Sequence, residues 1–247
     1  MGNARPMLRH PSPASTATQV ELRLLNAFEI FVGAAPVALP KAAQRLVAFI
    51  VLHERPVRRD YVAGSLWLDA TDGHAAGNLR STLWRVQKRV PGLLRIEGHA
   101  LRLDPAVRVD LHDAHRRAHD ELSGTPSNPD ASAFTGDLLP DWYDDDWVLL
   151  ERERFRQLRL NALDALCERK LREGRLSEAL EAGLLAVAGE PLRESEHRCL
   201  IRVHLAAGNR AEAHRQYELC HRLLHEQLGS EPTPLLRAAL DGPETEW

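Results

Sequence analysis

Asn78, Arg80, Ser81, Trp84, Arg85, Lys88 and Arg89 crowd into one stretch, HAAGNLRSTLWRVQKRV at residues 74–90. On a helix turning about 100° per residue, Ala76, Leu79, Leu83, Val86 and Val90 share one side. Ser81, Trp84, Arg85 and Lys88 lie opposite, with Asn78, Arg80 and Arg89 on the flanks. Such a face performs no covalent chemistry. It suits a DNA major groove, where Arg and Lys meet phosphates or guanine edges and Asn and Ser reach phosphates or bases. Trp84 has two readings: stacking on or contact with a sugar-phosphate edge, or packing against the first helix. An ordinary amphipathic surface helix shows the same pattern, so the flanking elements must decide.

Other reactive constellations are weaker. The chain has no Gly-x-x-x-x-Gly-Lys phosphate loop and no Gly-x-Ser-x-Gly elbow. Asp144, Asp145 and Asp146 read as a helix start, where carboxylates meet the dipole. His112, His115 and His119 share a helical face without cysteines at ligand spacing, and His214, Cys220, His221 and His225 form no tetrahedral pattern. The expectation is a protein with no catalytic residues, no metal and no cofactor.

The elements around the basic stretch give it a frame. Val20–Val32 reads as two short strands, residues 33–36 as a turn and Val37–Leu39 as a further strand. KAAQRLVAFIVLHER, residues 41–55, has the spacing of a core helix. RRDYVAGSLW, residues 58–67, reads as a second helix with Tyr61, Val62, Leu66 and Trp67 inward. Asp69–Gly73 is a loop, the basic helix follows, and LLRIEGHALRL turns back on itself around Glu97–Ala100. Strands, three helices and a hairpin make a winged helix-turn-helix over residues 20–108. Its third helix would enter the major groove, and its wing would carry Arg95, His99 and Arg102.

Charge is split to match. The net charge is −3, but residues 20–108 hold 13 basic against 8 acidic side chains, while residues 109–247 carry −10. Within 74–108 the count is 7 against 2. A basic module beside an acidic one fits a DNA-binding domain joined to a partner-binding domain. Residues 1–19, rich in Pro, Ser, Thr and Ala, read as a disordered tail without the apolar segment of a signal peptide. No apolar run approaches a membrane span. Three cysteines, Cys167, Cys199 and Cys220, are expected as reduced thiols in a cytoplasmic protein.

Residues 109–247 read as all-α. Gly174 and Gly208, Ala179 and Ala213, Leu166 and Leu200 are each 34 residues apart. A helix ending at Gly, a turn, then a closely packed Ala is the tetratricopeptide pattern, whose units bury their cores by stacking. Two units are clear, and a further one is expected around 134–155. The fold expected overall is mainly α: an N-terminal winged helix-turn-helix followed by tetratricopeptide-like repeats.

The stretch from Val57 to Val90, with its Leu66–Trp67 pair, its Asn78–Leu79–Arg80 run and its Leu83, Val86 and Arg89 spacing, resembles the DNA-binding domain of the Streptomyces antibiotic regulatory protein family. That domain is a response-regulator-type winged helix, the effector fold of phosphorelays, without the receiver. This chain departs in having Leu68 where the family usually has Gly, Val86–Arg89 in place of an Arg-rich run, and Gly98-His99-Ala100-Leu101 in the wing. Val109-Asp110, Gly136-Asp137-Leu138-Leu139, Trp147 and the EQLGSEPTP run at 226–234 resemble the bacterial transcriptional activator domain that follows it in the same family. The resemblance implies an activator that binds direct-repeat double-stranded DNA as a homodimer and recruits RNA polymerase, often at secondary-metabolite genes. Asp69, Thr71 and Asp72 beside the reading helix are then the polymerase contact. The other reading is an interaction scaffold whose winged helix does not bind DNA.

Overall fold

The computed structural model describes residues 19–53, 55–125 and 129–241. The expected tail at 1–19 lies outside them except for Gln19. The chain divides into two compact units. One is the chain up to Leu22 together with Glu29–Arg108; the other is Arg23–Phe28 together with Val109 onward.

In the first unit β1 (Val20–Arg23), β2 (Glu29–Val32) and β3 (Ala35–Pro36) are neighbours in the order β3-β2-β1. Gly33, at φ 62°, closes a tight turn, so pairing restarts at once with Val32 opposite Ala35. The third strand therefore precedes the expected Val37–Leu39. Helix α1 (Lys41–Val51) runs through the core, burying Ala43, Leu46 and Val47 on its inner turns. A short strand β4 (Val57–Arg58) follows, so α2 spans Arg59–Leu66 and starts one residue later than expected. Its register also differs. Val62, Ala63 and Leu66 are buried, whereas Tyr61 is 56% exposed, in loose ring contact with Phe49 at 5.9 Å, and Trp67 is half-buried. Eight residues leave the phase of a short helix weakly marked, and Ala63 takes the inward position assigned to the larger Tyr61.

Helix α3 is Asp72–Arg89; β5 (Leu94–Glu97) and β6 (Ala100–Leu103) form the hairpin after it. Glu97 lies opposite Ala100 across Gly98 and His99, with Gly98 at φ 58°. The wing is three-stranded, in the order β4-β6-β5, since Val57 and Arg58 pair with Leu101 and Ala100.

After β7 (Arg108–Val109), the second unit runs α4 (Asp110–Ser123), a short 3-10 helix (Ala131–Phe134), α5 (Asp146–Arg172), α6 (Leu176–Gly189), α7 (Glu194–Ala206), α8 (Arg210–Leu228) and α9 (Pro234–Asp241). The two repeats superimpose in their bonding. Gly174 N donates to Leu171 O and Gly208 N to Leu205 O; Arg175 N donates to Lys170 O and Asn209 N to His204 O. Both glycines sit at φ 73°, a left-handed helix stop that a Cβ would strain. Ala179 and Ala213 are both fully buried. Residues 134–155 form no helical hairpin, because 135–145 contains no helix. Cys167 and Cys199, expected as thiols, are joined in a disulfide between α5 and α7. Their separation of 32 is nearly one repeat, so stacking sets them side by side. Cys220 is free and buried, and burial pushes its thiol up to about 11.

Residues 23–28 belong to this unit through polar contacts. Asp110 accepts from the backbone N–H groups of Leu24 at 2.9 Å and Leu25 at 3.0 Å. Asn26 N donates to Asp137 O at 2.7 Å, and Leu25 bridges Leu138. A Cβ on Gly136 would lie 2.8 Å from Leu25 Cβ, which accounts for the glycine there. Among the described residues no helix is long and apolar enough to cross a membrane.

Candidate nucleic-acid interface

Helix α3 is held by one buried face. Leu79, Leu83 and Val86 are at most 4% exposed, joined by Ala75 and Thr82. The buried alanine is Ala75, four residues before Leu79 on the same face, and not Ala76, which is half-buried. Thr71 precedes the helix in an extended conformation, and Asp72 sits in the first turn where the helix dipole favours a carboxylate. The expected loop therefore shrinks: Asp69 lies in the turn, Thr71 flanks the helix, and Asp72 and Gly73 already belong to it. All three expected polymerase-contact residues are exposed, beside Leu68 at 82%.

The opposite face of α3 exposes Asn78, Arg80, Ser81, Trp84, Arg85, Lys88 and Arg89. Trp84 is 62% exposed, and the Lys88 ammonium lies 4.8 Å from its ring centroid, a cation–π contact that keeps the indole on the basic face. This disposes of packing against the first helix, α1. Arg80, Arg85 and Arg89 make no ion pair among the described residues. Lys88 and Arg89 also lie in the last turn, where the dipole favours cations.

The wing is arranged differently. Arg95 Nε lies 2.7 Å from Asp104 Oδ2, and Arg102 Nε lies 2.6 Å from Glu97 Oε1. The Arg95 guanidinium holds the Asp104 carboxyl below its usual range. Both arginines face carboxylates of their own module, leaving His99 as the exposed basic group at the turn. One positioning residue was not anticipated from the sequence. Gln87 Nε2 donates to Leu94 O at 2.8 Å, tying the last turn of α3 to the start of the wing. An amide on a helix flank gives no pattern that would single it out.

The histidine and aspartate clusters have other occupations. His115 stacks on Phe155 at 5.4 Å, Asp145 accepts from Trp147 Nε1 at 3.1 Å, and His221 lies 2.9 Å from Glu231. Among the described residues no three His, Cys, Asp or Glu side chains converge as metal ligands.

Comparison with known proteins gives the chain a family and two relatives. The family "Bacterial transcriptional activator domain" matches residues 94–241. Regulatory protein AfsR of Streptomyces coelicolor is 27% identical over 216 residues; the match covers 80% of this chain and 21% of that protein. A solved structure of Mycobacterium tuberculosis EmbR, in complex with a low-affinity phosphopeptide, superimposes with a TM-score of 0.72 at 20% identity, covering 90% of this chain and 64% of that one. This chain thus spans about a fifth of the curated relative and shares its fold with the solved one. With more than half its length matched, the chain belongs to the bacterial transcriptional activator domain family, as a member of the Streptomyces antibiotic regulatory protein type.

Proposed function

We propose that this protein is a sequence-specific, DNA-binding transcriptional activator. The observation that carries the reading is the exposed face of α3. It bears three arginines without carboxylate partners among the described residues, Asn78, Ser81 and a Lys88-capped indole, on a helix whose last turn is tied to the wing that follows. A surface helix built only for solubility would pair such charges along its own length. Ser81, Arg85 and Lys88 at the centre of the face read bases in the major groove, and Asn78, Trp84, Arg80 and Arg89 hold the flanking backbone. The exposed Asp69, Thr71 and Asp72 contact RNA polymerase.

The remaining parts follow from the same reading. Residues 20–108 are the DNA-binding domain and 109–247 the activator domain, whose repeats mediate dimerisation on direct-repeat promoter sites or receive a partner. The protein acts in the cytoplasm at the nucleoid, on genes of secondary metabolism. A mobility-shift assay with fragments from its own gene neighbourhood tests this. Arg85→Ala is expected to cost roughly 1–3 kcal/mol on the specific site and to relax sequence preference. Failure of the wild-type chain to bind any such fragment at low salt sinks the reading.

A further inference from the structure

Helices α5 and α7 meet along a seam of matched side chains. Arg193, at the start of α7, donates to Asn161 of α5; Cys167 bonds Cys199; Arg202 pairs with Glu168. The first two pairs are 32 residues apart and the third 34, so the repeat spacing sets the register of the whole seam. Both bonded cysteines are buried. On one side α6 backs the bond. A Cβ on Gly183 would lie 2.6 Å from Leu200 Cδ2 and 3.4 Å from Cys167 Sγ, so no reagent enters from there.

The other side is polar and poorly satisfied. One helical turn before the cysteines, Asp164 Oδ1, Ser195 Oγ and both Glu196 carboxyl oxygens are buried without a hydrogen-bond partner among the described residues. Arg193 Nη1 lies 3.3 Å from Glu196 Oε1, without the geometry of a hydrogen bond. Burial pushes both carboxyls up, and Asp164 adds repulsion at Glu196. Closing this seam strands groups that opening returns to water, and a buried unpaired group is costly. The disulfide therefore holds shut a seam that its own neighbours favour parting.

We propose that Cys167 and Cys199 form a reversible redox site that locks and unlocks the α5–α7 seam, a dithiol under reducing conditions and a disulfide after contact with a hydroperoxide. This rests on the DNA-binding reading above, which puts the protein in the reducing cytoplasm of a bacterium. Disulfides there are mostly transient, catalytic or redox-sensing. On oxidation one cysteine, as thiolate, attacks the terminal oxygen of the hydroperoxide. The O–O bond breaks, an alcohol leaves with the thiol proton, and a sulfenic acid remains. The second thiol displaces water from that sulfur and closes the S–S bond. The cysteines lose two electrons and the hydroperoxide gains them. A dithiol reverses this through a mixed disulfide, delivering two electrons and two protons and leaving as its own disulfide. Cys220 lies in a separate core, its thiol pushed up to about 11 by burial, and takes no part.

The test uses the full chain, reduced with dithiothreitol, desalted and treated with stoichiometric hydrogen peroxide in the absence of denaturant. Acid-quenched samples are then unfolded, alkylated and weighed. All three cysteines should be alkylated before peroxide and only Cys220 after it, with all three recovered when dithiothreitol meets the folded protein. Amide exchange in α5 and α7 should be roughly a hundredfold slower in the disulfide form, as expected for a bond closing a loop of this length. Exchange in α3 should not change. Cys220→Ser should keep the peroxide response and Cys199→Ser should abolish it. The comparison of two redox states of the wild type stands even where Cys199→Ser fails to fold. Cells quenched in acid should hold the dithiol during unstressed growth and the disulfide after a hydroperoxide pulse. A bond that resists dithiothreitol in the folded chain, or is already present in unstressed cells, is a permanent cross-link and overturns the proposal. Equal exchange in the two forms overturns it as well. The mobility-shift assay is read separately: a chain that passes these measurements and binds no duplex keeps the redox site and loses the DNA reading.

Discussion

On α3 of the first unit, Arg80, Arg85 and Arg89 point away from the core without an acidic partner among the described residues. On α5 of the second unit, Arg152, Arg154, Arg156, Arg159 and Arg169 each meet one or more acceptors. Arg152 donates to the carbonyls of Leu138 and Leu139, Arg156 bridges Glu153 and Glu190, and Arg159 lies 2.7 Å from Asp137. Arg169 clasps Glu121 through two bonds of 2.8 Å. The same residue type is thus spent as structure on α5 and left available on α3. A guanidinium whose donors are taken by carboxylates offers a phosphate little; one that faces only water offers its full fork. Net charge conceals this division, and partner geometry displays it.

The largest expected break lies in the second unit. The Glu121 side chain is 2% exposed, so Glu121→Ala leaves the guanidinium of Arg169 with Glu173 as its remaining carboxylate and is expected to cost about 3 kcal/mol, read by urea unfolding, with DNA affinity unchanged. An unaltered midpoint would show that the pairing adds nothing to the fold.

A comparable effect is expected with pH. Glu196 is fully buried, 3.3 Å from Arg193, and burial pushes its carboxyl up to about 8, with Asp164 adding repulsion. In the unfolded chain this group loses its proton near the ordinary glutamate range, so between there and about 8 the folded state binds more protons than the unfolded state. Stability therefore falls as pH rises through that window, by on the order of 3 kcal/mol. Glu196→Gln should flatten most of the decline in thermal melts. Asp164, also raised by burial, leaves a remnant of the same sign.

Arg85→Ala comes next, at roughly 1–3 kcal/mol in DNA affinity, with no change in melting. Loss of stability without loss of binding would reverse the roles assigned to the two sets of arginines. The smallest effect comes from turning a structural arginine into an available one. Asp104→Asn frees Arg95 on the wing, and an exposed pair of this kind adds little to stability. Its expected signature is a salt slope steeper by up to about 0.9, with little change in stability.

Helix α3 was legible because its burial is periodic: Leu79, Leu83 and Val86 mark a face whatever they pack against. The repeats were legible because Gly174 and Gly208 perform one backbone task at equal spacing. The wing turn was legible from Gly98 between alternating apolar residues. What escaped depends on pairing across distance. Nothing near Arg95 or Arg102 announces that Asp104 and Glu97 take them up, since the hairpin register decides it. The Cys167–Cys199 bond follows from stacking of repeats, which cysteine counting does not see. Tyr61 was placed inward because a short helix shows too few turns to fix its phase.

The six residues Arg23–Phe28 also set a timetable. Their donors find acceptors at Asp110 and Asp137, 86 and 111 positions later in the chain. During synthesis β1 and β2 emerge early, but the link between them must stay hydrated until most of α4 and the stretch beyond it exist. Such late closure raises contact order and slows the final step of folding. A gene truncated after Arg108 would encode every strand and helix of the first unit, yet leave Leu24 and Leu25 without the carboxylate that receives them.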